Sequence, residues 1–343
     1  MVLTILVILG IGRLLVQVAE ILLLVLIAAI LATSLNPLVD ALGRRAWGRY
    51  RWQLSRTMAI ILVYMGLLIV LSIVGTVLVA PLVSESEQVL ARAPEFYQDL
   101  RAVLAGLQQR YTWLPDLTAL LDRIPREAGR LTSYVGAATG VAFRVFGGVV
   151  SAITVLILSF YMLVEGPAIK EGFLALFPRK HHAQFETVLR DVGLKFGGWL
   201  RGQLLLGLII GGLAGGGTWA LGLPYPFLLG VAAGVTELIP LIGPVLGAIP
   251  AVLVALFGPT WRLLAVIVFF TFIQQAEGNF LVPRVMKQAV GLSPLLTLVA
   301  IMIGANLMGI IGALLAVPIA AALQVIVGEI VRQFGPARPS AGH

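Results

Sequence analysis

The sequence contains no cysteine, and only 12% of its 343 residues are charged. Without thiols it can form no disulfide, no cysteine-ligated iron–sulfur cluster and no cysteine nucleophile, while its redox compartment stays open. Only three histidines occur, His181, His182 and His343, and none lies in an apolar run. A buried Ser–His pair of the intramembrane-protease kind therefore has no base, and Asp40 is the only aspartate near an early apolar segment. A phosphate-cradling Gly-Lys-Ser/Thr loop is absent too, which excludes an ATP-driven pump formed by this chain alone. These gaps argue against an enzyme and give no reason to expect a cofactor. Adjacent His181 and His182 on a charged stretch read as solvent-exposed, because no second pair completes a metal site.

What fills the chain instead is apolar: 59% of residues are hydrophobic and the mean hydropathy is +1.00, far above what a water-exposed surface tolerates. The stretch from Thr57 to Ala80 carries no charge, and as a helix it would measure roughly 36 Å against a hydrocarbon core of about 30 Å. Continuous Leu-rich runs of this kind predict membrane helices; a β-barrel would show short alternating segments. The lipid bilayer is thus the first partner. The formal net charge of +8 is concentrated: Arg44, Arg45, Arg49, Arg51 and Arg56 face the single acid Asp40 between two apolar runs. Beside membrane spans, such a cluster marks a cytoplasmic loop and no nucleic-acid surface. The N-terminus has no Lys or Arg before Arg13 and no clear cleavage site, so the first helix is expected to stay.

Eight apolar segments are predicted, at about 2–18, 19–37, 57–80, 141–164, 203–221, 227–257, 262–275 and 294–327. The first two read either as a hairpin turning near Glu20 or as one long broken helix. Between Ser84 and Gly140 the composition becomes polar, with Pro94, Pro115 and Pro125 expected to divide a helical aqueous insert. Within it Tyr97, Leu100, Leu104, Leu107 and Tyr111 form one apolar stripe, which must pack on the insert itself or on a neighbouring copy and leaves room for a homo-oligomer. The resulting division is 1–83 N-terminal helices, 84–140 insert, 141–201 a membrane helix with a basic cytoplasmic loop, 202–331 a core, and 332–343 a polar tail.

The core holds two segments of one build, each a long apolar stretch interrupted by glycine and proline. Pro240, Gly243 and Pro244 interrupt the first; Gly309, Gly312 and Pro318 interrupt the second. Broken helices at membrane depth are tolerated only where the freed backbone faces protein or a water-filled cavity. If both segments are re-entrant hairpins of opposite orientation, Arg284, Lys287, Arg332 and Arg338 all fall on the cytoplasmic side, as the positive-inside rule requires. Such an inverted repeat suits alternating access.

Glu237 stands in the first hairpin just before Pro240, where an isolated carboxylate costs several kcal/mol. It can serve the amides freed by the break or carry a proton or cation. Gln274, Gln275, Glu277 and Asn279 end a membrane helix, with Arg284 close behind. This cluster reads either as a solvated helix end in which Glu277 pairs with Arg284, or as a substrate or proton site. Asn306 can likewise satisfy backbone or meet a polar ligand. Gly207, Gly211 and Gly215 predict close helix packing, within the subunit or as a sliding surface. Arg201-Gly202-Gln203 reads as an interfacial anchor or a gate.

Several stretches resemble the autoinducer-2 exporter family of PerM-like permeases: SLNPLVDALGRR from Ser34, WLRGQLLLGLIIGGLAG from Trp199, ELIPLIGPVLGAIPAVLVAL from Glu237 and EGNFLVPRVMKQAVGLSPLLTLVAIMIGANLMGIIGALLAVPIAAAL from Glu277. Ser293 departs from the family's common histidine, and Ala305-Asn306 from its frequent Gly-Glu. The resemblance implies an eight-helix bacterial inner-membrane exporter, with autoinducer-2 as the family's named substrate and cation/proton antiport also proposed. The expectation is an all-α, multi-pass secondary transporter moving a small polar solute with proton coupling. The alternatives are a sodium/proton antiporter, with protons or monovalent cations as the partners, and a passive channel.

Overall fold

The computed structural model describes residues 2–44, 54–110, 138–286 and 291–334. Among them every regular element is helical: α1 (Val2–Arg44), α2 (Arg56–Arg110), α3 (Ala138–Val164), α4 (Gly166–Ala175), α5 (His182–Ala220), α6 (Pro226–Thr236), α7 (Gly243–Leu256), α8 (Thr260–Ala276), α9 (Val282–Met286) and α10 (Pro294–Phe334). A wide π turn, Glu277–Leu281, joins α8 to α9. Among the described residues five helical stretches are long and apolar enough to cross a bilayer, and the α3–α4 pair, bent by 72°, is a sixth where it is counted as one span. Side chains along α2 such as Leu68, Ile69, Ile73 and Val77 stay exposed, which a lipid solvent permits and water would not.

The first two apolar segments form one helix without a turn at Glu20. Neither glycine nor proline occurs between Arg13 and Asn36, so nothing interrupts the hydrogen-bond ladder. The insert differs from expectation. Pro94 does not divide it, because α2 runs through that residue for 55 residues, about 80 Å, and carries the membrane run straight into the polar stretch. A proline forfeits one ladder bond and kinks a helix without having to end it. Of the apolar stripe, Leu104 is half-buried, while Tyr111 and the side chains of Tyr97, Leu100 and Leu107 lie outside the described residues, as do Pro115 and Pro125. The basic cluster 45–53 and Lys287 also lie outside them.

Three apolar clusters organise the fold. One joins α1, α2 and α3 through Leu35, Val39, Ile60 and Leu163, and it is pinned where the Tyr64 hydroxyl donates to Ser159 Oγ at 2.7 Å. A second joins Ile30 of α1, Phe196 and Trp199 of α5, and Ile301, Leu315 and Ala321 of α10. The third joins Ile210 of α5, Leu229 of α6, Ala251 of α7 and Phe270 of α8.

Both interrupted segments fold back on themselves. In the first, α6 and α7 are antiparallel arms joined by the turn 237–242, and Leu241 takes a left-handed φ of 69°. In the second, α10 reverses at Met308 and at Gly309, whose φ is +60°. A methyl group on Gly304 would stand 2.3 Å from the Gly312 carbonyl oxygen, so the two arms touch backbone to backbone. Pro318, expected to mark the break, lies instead inside the returning arm and is fully buried; left-handed Gly309, not a missing amide, makes the reversal.

Gly207, Gly211 and Gly215 of α5 face the first hairpin. A Cβ on Gly207 would lie 2.8 Å from Gly234 O, and one on Gly211 would lie 3.0 Å from Gly230 O. Close approach without intervening side chains is what small-xxx-small faces allow in lipid. Gly212, on the neighbouring face, has nothing within 4 Å of its Cβ position. Replacing Gly211 with Leu should therefore lower thermal stability by about 2 kcal/mol through overpacking, and Gly212→Leu should melt like the parent. Equal melting of the two variants in detergent would contradict this packing.

Candidate transport site at two buried carboxyls

The site begins with the end of α6. Pro240 cannot donate a backbone hydrogen bond, and the chain tightens before it: Leu238 N donates to Val235 O at 3.2 Å and Ile239 N to Thr236 O at 3.0 Å. Left-handed Leu241 then turns the chain, and Gly243 N closes the loop onto Ile239 O at 2.8 Å. Gly243 is required here, since a Cβ would stand 2.2 Å from Thr236 O. In a continued helix Leu241 N would serve the Glu237 carbonyl; the Gln203 side-chain amide of α5 donates to that oxygen instead.

This turn places the Glu237 side chain inside the protein at 1% exposure. The π turn after α8 does the same for Glu277, 7% exposed, and the two carboxyls come within hydrogen-bonding reach of each other. One oxygen on each, Glu237 Oε2 and Glu277 Oε2, has no partner among the described residues, nor has Gln203 Oε1. Gln274 ties α8 to the same hairpin by donating to Pro244 O at 3.3 Å. Two carboxyls this close cannot comfortably both be ionised, whereas one proton between them turns repulsion into a hydrogen bond. The arrangement can therefore take up and release a proton, or hold a cation between oxygens.

The remaining predicted residues stand elsewhere. Glu277 does not pair with Arg284 on a solvated helix end: it is buried, and the Arg284 guanidinium lies 5.9 Å from the Phe280 ring centroid. The extra residue of the π turn rotates Arg284 off the face it would share with Glu277 in a regular helix. Asn279 is exposed and donates to Gln275 Oε1 at 3.2 Å, facing away from the pair. Asn306 is exposed near the tip of the second hairpin. His181 and His182 are half-buried, bonded to Gln184 Oε1 and Phe177 O, and not solvent-exposed as expected.

An apolar groove of about 680 Å³ lies between α2, α5 and α6, floored by Gly212 and Gly216 and walled by Leu78, Trp219 and Phe227; neither carboxyl lines it. The carboxyl pair is enclosed in this conformation. One anchor of the first hairpin was invisible in the sequence: Leu228 N, at the start of α6, donates to Glu85 Oε2 of α2 at 2.6 Å, across 143 positions. Tyr225 caps that helix without a side-chain bond, and a first turn lacking a Ser, Thr, Asp or Asn cap was the one available sign that a distant acceptor serves it.

Broken hairpins packed through glycine on a membrane bundle, with paired acids at one break, define a multi-pass membrane protein of transporter type. The chain belongs to the AI-2E family of transporters, whose family model matches residues 3–332. It is 32% identical over 286 residues to the "Putative transport protein YrrI" of Bacillus subtilis (strain 168), covering 81% of this chain and 80% of that one. It is 26% identical to the AI-2 transport protein TqsA of Escherichia coli (strain K12), over 88% and 83% of the two chains. With the sodium-lithium/proton antiporter of Halobacillus andaensis the identity is 23%, over 84% of each chain.

If the two carboxyls meet as described, Glu237→Gln and Glu277→Gln should be non-additive in thermal stability by at least about 0.5 kcal/mol, the least expected of groups in contact. Additive melting shifts in a double-mutant cycle would place them apart.

Proposed function

We propose that this chain is a secondary transporter of the bacterial inner membrane that exports a small polar solute by alternating access and couples the movement to protons. One observation carries the reading: Glu237, at the break of the first hairpin, and Glu277, on the π turn, face each other, buried, and one oxygen of each has no donor among the described residues. Intramembrane acids of this kind mark proton and ion routes. The hairpin can move as a unit, since α6 rides on α5 through glycine and not through interlocked side chains. In this reading the second hairpin enters from the opposite side, as an inverted pair requires. That a relative is named an AI-2 transport protein favours AI-2 or another small polar solute.

A second reading is antiport of a monovalent cation against protons. The unpartnered atoms Glu237 Oε2, Glu277 Oε2 and Gln203 Oε1 are all acceptors, as a cation requires, and one relative is named a sodium-lithium/proton antiporter. Purified protein in vesicles loaded with a pH dye separates the readings. Proton movement triggered by a sodium or lithium gradient alone supports antiport; movement that needs an organic solute supports export. In either case Glu237→Gln and Glu277→Gln should each slow proton-coupled flux at least about tenfold, equivalent to about 1.4 kcal/mol on the barrier. Folded variants with parental flux would remove the carboxyl pair from the mechanism.

A further inference from the structure

Gln203 occupies an unusual place for an amide. It is 1% exposed, one turn before Gly207, and so continues the row of Gly207, Gly211 and Gly215 along which α5 meets the first hairpin. Its Nε2 donates to the Glu237 carbonyl, the acceptor that left-handed Leu241 abandons. Its Oε1 is buried with no partner among the described residues. A side chain whose whole task was to satisfy backbone would not bring a second, unmet acceptor into the interior.

We infer that Gln203 is a positioning residue for the carboxyl pair: by pinning the peptide of Glu237 it fixes where that carboxyl meets Glu277, and its Oε1 offers the shared proton's O–H a neutral acceptor on the α5 side. This rests on the reading of Glu237 and Glu277 as the proton carriers. The pinning transmits motion. A shift of α5 against α6 along the glycine row pulls directly on peptide 237 and changes the geometry of the pair. Gln203 is bonded to the peptide of Glu237, whose carboxyl meets that of Glu277 from the π turn. The residues packed on the adjoining glycines of α5 are uncharged: Val285 and Met286 of α9 against Gly202, and Thr33 and Ser34 of α1 against Gly197.

Two variants of matching length test this in the full-length protein reconstituted in vesicles. Gln203→Met fills the space with no hydrogen bond; Gln203→Glu can donate to the Glu237 carbonyl only when its own carboxyl is protonated. The readouts are proton-coupled flux against pH and the infrared carboxyl band that disappears in Glu237→Gln. Gln203→Met is expected to shift that band and to slow flux about tenfold while the protein still melts cooperatively. Gln203→Glu should be slow at high pH and recover toward the parental rate as the pH falls, which a packing role would not produce. An unmoved band with parental flux in Gln203→Met overturns the inference, and if that variant fails to fold, a Gln203→Glu profile parallel to the parent overturns it. Parental flux in Glu237→Gln would sink the proton-carrier reading alone, since a band shift in Gln203→Met reports position independently of transport.

Discussion

The constraint on which the rest depends is that a helix broken inside a bilayer must find partners for its freed backbone within the protein. At the first hairpin the freed acceptor is the Glu237 carbonyl and the partner is Gln203. A glutamine amide reaches that carbonyl only if α5 and α6 run unusually close together. Gly207 and Gly211 against Gly234 and Gly230 supply the closeness, since any side chain there would collide with a main-chain oxygen. The row of small residues and the break are therefore one feature, and losing the first would leave the second unsatisfied.

The same constraint explains why the hairpin is anchored at its other end. Its first arm begins at Pro226 without a local cap, and an orphaned amide there, Leu228 N, is met by Glu85. A carboxylate also suits the positive end of the α6 dipole. Because α2 runs uninterrupted from Arg56 through Glu85 into the polar insert, one helix joins the insert to the entry of the hairpin. The second hairpin solves its problem differently. Gly304 and Gly312 bring its arms into contact and Gly309 turns the chain, with Pro318 packed in the returning arm.

Much of this was legible in the residues, and the exceptions have physical causes. Uninterrupted apolar runs located the membrane helices, and clustered glycine and proline located both reversals, because each reports a local property of the backbone. Glu237 stood out as an acid in an apolar run. Glu277 was legible as a candidate but not in its pairing, since assigning it to Arg284 assumes 3.6 residues per turn and the π turn breaks that count. Gln203 was read as part of an interfacial anchor because Arg201 precedes it. Extending the four-residue glycine register one step back from Gly207 would have placed it on the buried face. The reach of Glu85 to Leu228 spans 143 positions, and nothing local encodes it beyond the missing cap.

The break and the acid need each other. An acid in an unbroken helix facing lipid would be excluded by desolvation, and a break without polar side chains nearby would strand its own carbonyls. Placing Glu237 on the turn lets one set of interior contacts serve both: the amide that holds its carbonyl also fixes the direction of its side chain toward Glu277. Any displacement of the hairpin along α5 then alters backbone satisfaction and carboxyl spacing together. That mechanical link between helix position and proton occupancy is what a coupled transporter requires, because protonation must favour one arrangement of the bundle over the other by a difference in contacts. In the proposed mechanism that difference is concentrated in three side chains, Gln203, Glu237 and Glu277, at the meeting of α5, the first hairpin and the π turn.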